Sequence, residues 1–187
     1  NPAWVAADLL SQAEHDKMAS AVLVTDSREL AQAVSREIEN QLQTLEREEI
    51  ARASIEANGK IIVARSLKEA AAVANRIAPE HLELSVDNPF DYLGLIQNAG
   101  SIFLGRYNPE PMADYFAGPN HTLPTMGTAR FYSPLSVDDF IKKSQFSYYT
   151  REALEKDYRK VSRFAKEEGL TAHARAVDIR FEKEGEA

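Results

Sequence analysis

Two short apolar segments, each followed by a capped amphipathic helix, constrain the fold of this chain more than any other pattern. Residues 21–25 and 60–64 are compact β-branched or apolar runs with the length of buried strands. Ser27 and Ser66 follow them and are typical N-caps of helices. Because strands that alternate with helices tend to pair in parallel, we expect an α/β fold with a mostly parallel sheet flanked by helices.

The rest of the chain is patterned less regularly. We predict an opening helix that ends near His15, and strands at residues 82–86, 99–105 and 145–149. Residues 106–136 contain five prolines and several aromatic residues, which is typical of a long functional loop rather than of a disordered one.

Two further helices are predicted near the end of the chain. Thr150 caps the first, which ends at Gly169, and Thr171 begins the second. We place a domain boundary so that residues 1–143 form the α/β domain and residues 144–187 form a small helical C-terminal appendage.

The composition excludes several classes of function. A net charge of −7 argues against a nucleic-acid binder that neutralises phosphates. Without cysteine, the chain has no disulfide, thiolate metal site or cysteine nucleophile, and this fits a cytoplasmic protein. No apolar run is long enough to span a bilayer, so no membrane partner is expected. The chain also lacks the glycine-rich fingerprint of dinucleotide binding, a Walker loop and a Gly-x-Ser-x-Gly elbow.

The chain has four histidines, and each lies in a short polar cluster. Gln12 and His15 are three residues apart on a predicted helix, which would place both on one face, although for the pair alone a solvated helix end is the simpler interpretation. In the second cluster, Glu80 and His81 follow a proline and could supply two proton acceptors. The alternative there is a helix N-terminus at which Glu80 offsets the macrodipole.

The other two clusters also leave alternatives open. Asp114 and His121 offer a carboxylate and an imidazole that suit zinc, but Asp114 could be a turn residue and Asn120 could form an Asx-turn. Glu168 and His173 bracket the junction of the last two helices, where a surface charge and a solvated imidazole are the simpler interpretation.

Taken together and in order, the clusters resemble the histidinol dehydrogenase family. The strings that carry the resemblance span nearly the whole chain: Asp8-Leu-Leu-Ser-Gln-Ala-Glu-His15, Ala78-Pro-Glu-His-Leu-Glu83, Ala99-Gly-Ser-Ile-Phe-Leu-Gly105, Asp114-Tyr-Phe-Ala-Gly-Pro-Asn-His-Thr-Leu-Pro-Thr125, Gly127-Thr-Ala-Arg-Phe131 and Glu168-Gly-Leu-Thr-Ala-His173. The resemblance implies oxidation of L-histidinol to L-histidine through histidinal by two NAD-dependent steps. It also implies an incomplete Rossmann-like fold.

The resemblance assigns a role to each polar residue. It implies that Glu80 and His81 are the catalytic proton acceptors. The implied zinc ligands are Gln12, His15, Asp114 and His173. The implied substrate-binding residues are Gln12, His15, His81, Asp114, His121, Glu168 and His173.

The resemblance also implies partners and a missing region. Family chains are much longer, so we expect this chain to be a C-terminal fragment that lacks the main NAD site and is inactive alone; no cofactor-binding residue is expected within it. We further expect a homodimer in which residues 144–187 contribute to dimerisation and Glu168 and His173 act in trans. The alternative function is a non-catalytic metal- or ligand-binding domain that keeps the family fold.

Overall fold

The computed structural model describes residues 1–182, which contain eight α-helices, four strands and three short 3₁₀ helices. The α-helices are α1 Pro2–Ala13, α2 Arg28–Leu42, α3 Glu48–Asn58, α4 Leu67–Ile77, α5 Phe90–Leu93, α6 Glu110–Tyr115, α7 Arg151–Glu167 and α8 Thr171–Asp178. The strands are β1 Val22–Thr25, β2 Lys60–Val63, β3 His81–Leu84 and β4 Ser101–Leu104. The 3₁₀ helices are Thr128–Arg130, Val137–Phe140 and Ile179–Phe181.

The strands form two separate two-stranded sheets, and both are parallel. β1 pairs with β2, with Val22 opposite Lys60, and β3 pairs with β4, with His81 opposite Ser101. The prediction of an α/β fold with parallel strands and flanking helices is confirmed, although the strands of residues 1–182 are divided between two small sheets instead of one. None of the helices in this range has the length and apolar composition needed to cross a membrane.

Helix α1 is held in place by a buried apolar core that it shares with α2 and α3. Leu10 of α1 and Val34 and Leu42 of α2 are almost completely buried and belong to this core. They recur at helical spacing, which gives each helix one apolar face. Ser27 begins α2 as predicted, and its Oγ accepts from Leu30 N at 3.1 Å. This packing fixes the position of the polar face of α1, which carries Gln12.

A tight junction connects α4 to β3 and places Glu80 directly before the strand. Ala78 is buried in the left-handed conformation, with φ of 53°, and turns the chain out of the helix. Gly100 N–H donates to Pro79 O at 2.9 Å, and Ser101 N–H donates to Glu80 O at 2.8 Å. Glu80 therefore lies directly before a strand, and the alternative that placed it at a helix N-terminus is wrong.

Two predictions for the irregular regions need correction. The strand predicted at residues 145–149 is absent: the backbone there has no regular structure, and Phe146 and Tyr148 are exposed. Aromatic residues favour strands only where a neighbouring strand pairs with the backbone, and strands in residues 1–182 pair only as β1–β2 and β3–β4. In addition, the long loop predicted at residues 106–136 contains α6.

The chain divides into two compact units, residues 1–141 and a unit that begins at Lys142. In the second unit, Thr150 caps α7 as predicted, and Ser162 Oγ donates to Asp178 Oδ2 at 2.8 Å to join α7 to the end of α8. Gly169 has a φ of 75°, a left-handed conformation that ends α7. Residues 183–187 of the predicted appendage lie outside the described residues.

We predict that Gly100→Ala destabilises the protein by about 1–3 kcal/mol, the cost of overpacking a closed site. A Cβ at residue 100 would lie 2.6 Å from the backbone oxygen of Glu80, so one of these two backbone segments must move. The measurement is the free energy of unfolding from urea titration.

Gly94→Ala is the matched control. Gly94 has helical backbone angles, and a Cβ there meets nothing within 4 Å. We expect this variant to be neutral or stabilised by up to about 1 kcal/mol. Equal unfolding midpoints for the two variants would contradict the close approach at Gly100.

Candidate functional site

Helix α1 and strand β3 meet through two pairs of polar side chains. Gln12 Oε1 lies 3.0 Å from His81 Nδ1, and the carboxyl groups of Asp8 and Glu83 share a hydrogen bond. Four residues along a helix advance by about 6 Å, and two along a strand by about 6.6 Å. The two spacings match, so one face of α1 meets one face of β3 pair by pair.

Glu110, the first residue of α6, is the fifth side chain at this contact. Its Oε2 accepts from Gln12 Nε2 at 3.0 Å, and its Oε1 lies 3.9 Å from His81 Nε2. Its backbone N–H donates to Glu83 Oε1 at 3.0 Å. Glu110 is only 5% exposed, so a buried carboxylate touches both a candidate ligand and a candidate base.

Asp114 and His121 extend the cluster from the other end of α6. Asp114 follows Glu110 by four residues, so both carboxylates lie on one face of the helix. His121 Nδ1 is 3.8 Å from Asp114 Oδ2; the His121 side chain is 72% exposed and that of Asp114 is 15% exposed. Asn120 forms the Asx-turn considered in the sequence analysis, with its Oδ1 accepting from Thr122 N at 2.7 Å.

The cluster offers donor atoms that suit a metal ion. Donor atoms of His81, Glu110 and Asp114 all lie within 4.8 Å of one another. An imidazole and two carboxylates are ordinary zinc ligands, so the chemistry of the site fits this metal. This group shares Asp114 with the ligand set implied by the family resemblance, but it adds Glu110, which the sequence analysis missed.

The remaining expected residues lie elsewhere in the described structure. His15 is exposed in the turn after α1, where its backbone oxygen accepts from Arg47. In the second unit, Glu168 is the C-cap of α7 and His173 lies in the first turn of α8; both are exposed. The structure thus brings together Gln12, His81, Asp114 and His121 from the expected set.

One pattern in the sequence does point to Glu110. It precedes Asp114 by the four-residue spacing of a helix face and follows Pro109, which occupies the N-cap of α6. The many prolines of residues 106–136 favour a loop, and they outweigh the helical spacing of Glu110 and Asp114 in a prediction from sequence.

The carboxyl groups of Asp8 and Glu83, next to the cluster, both have raised pKa values. Burial, reinforced by the nearby charge of Asp8, raises the pKa of Glu83 to about 7. Burial also raises the pKa of Asp8, against the hydrogen bond with Glu83, which lowers it. The pair therefore holds a proton between its two carboxyl groups at a pH where exposed carboxyls are ionised.

The comparisons with known proteins agree with the resemblance found in the sequence. A family model described as histidinol dehydrogenase matches residues 1–181. The chain is 58% identical over 184 residues to histidinol dehydrogenase of Bacillus cereus, covering 98% of this chain and 43% of that protein. It is 59% identical over 186 residues to the Geobacter metallireducens protein of the same name, covering 100% of this chain and 43% of that protein.

A solved structure gives the same result for the fold. The crystal structure of histidinol dehydrogenase from Elizabethkingia anophelis matches with a TM-score of 0.85 and 42% sequence identity, covering 96% of this chain and 41% of that chain. The present chain spans less than half the length of the relatives that it matches.

The raised pKa of Glu83 predicts a pH dependence of stability. The folded state holds this proton more tightly than the unfolded state, so the stabilisation is complete below pH 4.5 and is lost as the pH rises through 7. Glu83→Gln removes this loss. Between pH 5 and pH 8, we expect the free energy of unfolding of the variant to rise relative to the parent by about 1–2 kcal/mol, after allowance for solvent screening.

Urea unfolding at several pH values in this window measures the effect, and Glu69→Gln is the control. Arg65 lowers the pKa of Glu69 to about 2, so stabilisation by Glu69 is present above pH 4.5 and is lost only as the pH falls toward 2. The profile of Glu69→Gln should run parallel to that of the parent from pH 5 to 8. A parallel profile for Glu83→Gln would be evidence against the shared proton.

Proposed function

The chain belongs to the histidinol dehydrogenase family, and from this membership we propose that the protein containing it oxidises L-histidinol to L-histidine through histidinal, with two molecules of NAD. The observation that carries the proposal is the convergence of Gln12, His81 and Asp114 from three different elements onto one contact. These residues offer a base beside a potential metal ligand set, as an alcohol oxidation with a positioned substrate requires.

We propose that Gln12, His15, Asp114 and His173 hold zinc. An amide oxygen, two imidazoles and a carboxylate leave room for a substrate to join the coordination sphere. A zinc ion held by these residues would supply a site that binds and orients the amine and imidazole of histidinol, and it would not itself take part in the oxidation. His121 and Glu168 would contact the substrate, and His173 and Glu168 would come from the partner subunit of a homodimer.

We propose a division of labour between Glu80 and His81. In the first step, His81 accepts the proton of the substrate hydroxyl as a hydride leaves the adjacent carbon for NAD, which gives the aldehyde. In the second step, Glu80 takes a proton from water as the water oxygen bonds to the aldehyde carbon. A second hydride then leaves that carbon for the second NAD. Glu80 precedes β3 and His81 is its first residue, so Glu80 lies outside the regular strand, in which neighbouring side chains point to opposite faces; this supports a shared substrate for the two side chains.

The direct test is NADH formation from histidinol by the intact protein that contains these residues. Absorbance at 340 nm should rise with two NADH formed per histidinol. A protein that binds zinc or histidinol but forms no NADH would instead be a non-catalytic binding domain of the same family.

For the metal, we predict that His15→Ala in the intact protein loses most of its zinc while it stays folded. His15 is exposed, so its removal leaves the core packing unchanged. Metal analysis after dialysis and the far-UV circular dichroism spectrum measure the two quantities.

His121→Ala is the control for an imidazole near Asp114 that is not a proposed ligand. This variant should keep its zinc and raise KM for histidinol, because His121 contributes only to substrate binding. Full zinc content in His15→Ala would contradict the proposed ligand set. It would favour the group formed by His81, Glu110 and Asp114.

For catalysis, we predict that Glu80→Gln slows histidinal oxidation more than histidinol oxidation. The amide keeps the shape of the side chain but cannot take a proton, and only the second step needs activated water. A loss of about a hundredfold or more is expected for removal of a general base. His81→Asn should slow the histidinol step, in which a proton must leave the substrate oxygen.

Single-turnover kinetics with histidinol and with histidinal separate the two half-reactions. A loss of the same size in both half-reactions of Glu80→Gln would rule out the division of labour and leave the two residues acting as one relay.

A further inference from the structure

Glu110 touches both Gln12 and His81, but the proposed reaction has no role for it. Its side chain is 6% exposed, and neither of the two side chains that it contacts is a charged group exposed to solvent. A carboxylate buried to this degree must be compensated by groups that donate to it. The amide of Gln12 donates to it at 3.0 Å, while His81 Nε2 lies 3.9 Å away and the Asp114 carboxylate has an oxygen within 4.8 Å of it.

The carboxylate determines which way the Gln12 amide faces. An ionised carboxylate can only accept hydrogen bonds, so the NH₂ end of the amide must face Glu110, at 3.0 Å. The oxygen end then faces His81 Nδ1, also at 3.0 Å. The reverse orientation would place two acceptor oxygens in contact, which the burial of Glu110 makes costly.

The amide in turn determines the tautomer of His81. Because an oxygen faces Nδ1, that nitrogen carries a proton and donates it, and in the neutral imidazole the lone pair is then on Nε2. The imidazole also packs against the buried Phe103 ring, with the two centroids 5.8 Å apart. An imidazole with a lone pair on Nε2 can accept a proton at that atom.

We propose that Glu110 is a positioning residue, which orients the Gln12 amide and through it holds His81 in the tautomer whose Nε2 accepts the substrate proton. This proposal rests on the proposed function of His81 as a base. Glu110 also lies 3.9 Å from Nε2, so its charge stabilises the imidazolium that forms once the proton has been taken. The amide oxygen has two lone pairs, so its bond to His81 leaves one for a metal ion.

The backbone of Glu110 is also held in position by a hydrogen bond. Its backbone N–H donates to Glu83, which lies on the same face of β3 as His81. The start of α6 and the base are therefore fixed to one strand, and the carboxylate has little freedom to leave the amide. This anchoring is what a group that sets a hydrogen-bond direction requires.

The test compares Glu110→Gln and Glu110→Asp in the intact protein labelled with ¹⁵N-histidine. Long-range proton–nitrogen spectra show which ring nitrogen of His81 carries the proton, and the His81→Asn variant assigns its signals. In the parent, we expect the proton on Nδ1. In Glu110→Gln, whose side chain both donates and accepts, we expect a mixture of tautomers. Glu110→Asp keeps an acceptor and should restore the Nδ1 tautomer in part.

Kinetics provide the second measurement. Glu110→Gln should lower kcat for histidinol about 10- to 100-fold, the usual loss when the partner of a functional imidazole is removed. KM should stay within about twofold, because Glu110 does not contact the substrate. Glu46→Gln, at an exposed glutamate between α2 and α3, should leave the spectrum, kcat and KM unchanged.

Three results would overturn the proposal: a Nδ1 tautomer that persists in Glu110→Gln, a rise in KM with an unchanged kcat, and loss of bound zinc from Glu110→Gln in excess zinc. The last would make Glu110 a ligand. Failure of the proposed function is distinguishable, because it would appear as a parent protein that forms no NADH. A tautomer change in Glu110→Gln would still support the positioning role in that case.

Discussion

The register of α1 against β3 is the constraint on which the candidate site depends. Gln12 meets His81 and Asp8 meets Glu83 only because a helical turn and a strand repeat have nearly the same length. The apolar face of α1, buried against α2, keeps the helix from rotating. A rotation of α1 by one residue would turn the side chains of Gln12 and Asp8 away from β3 by about 100°, and their contacts with His81 and Glu83 would be lost.

The fold was largely predictable because its signals are local. The caps Ser27 and Ser66 and the apolar runs of β1 and β2 act within a few residues, and the structure has each of them as predicted. The strand predicted at residues 145–149 was wrong because strand formation depends on a pairing partner that the local sequence does not reveal. Long-range pairing also divided the strands between two sheets.

The candidate site was predictable only in part, for a related physical reason. Its members were found through the family resemblance and not through spacing, since Gln12, His81 and Asp114 lie far apart in the sequence. The same resemblance did not point to Glu110. Its partners are 98 and 29 residues away, and the four-residue spacing from Glu110 to Asp114 indicates a helix face without showing that the face is buried. Burial of a charge is a tertiary property.

The acidic groups near His81 make the cluster a favourable place for a cation. Asp8, Glu83, Glu110 and Asp114 bring four carboxyl groups to one small region, and burial raises the pKa of the Asp8 and Glu83 carboxyls there. The Asp8–Glu83 pair responds by keeping a proton, and Glu110 responds by accepting from Gln12. A divalent cation bound at Asp114 would offset the remaining negative charge, so occupancy of the proposed zinc site would also stabilise the fold of this unit. By the same argument, the acidic cluster would weaken the unit when the proposed zinc site is empty, and zinc binding there would contribute to its stability.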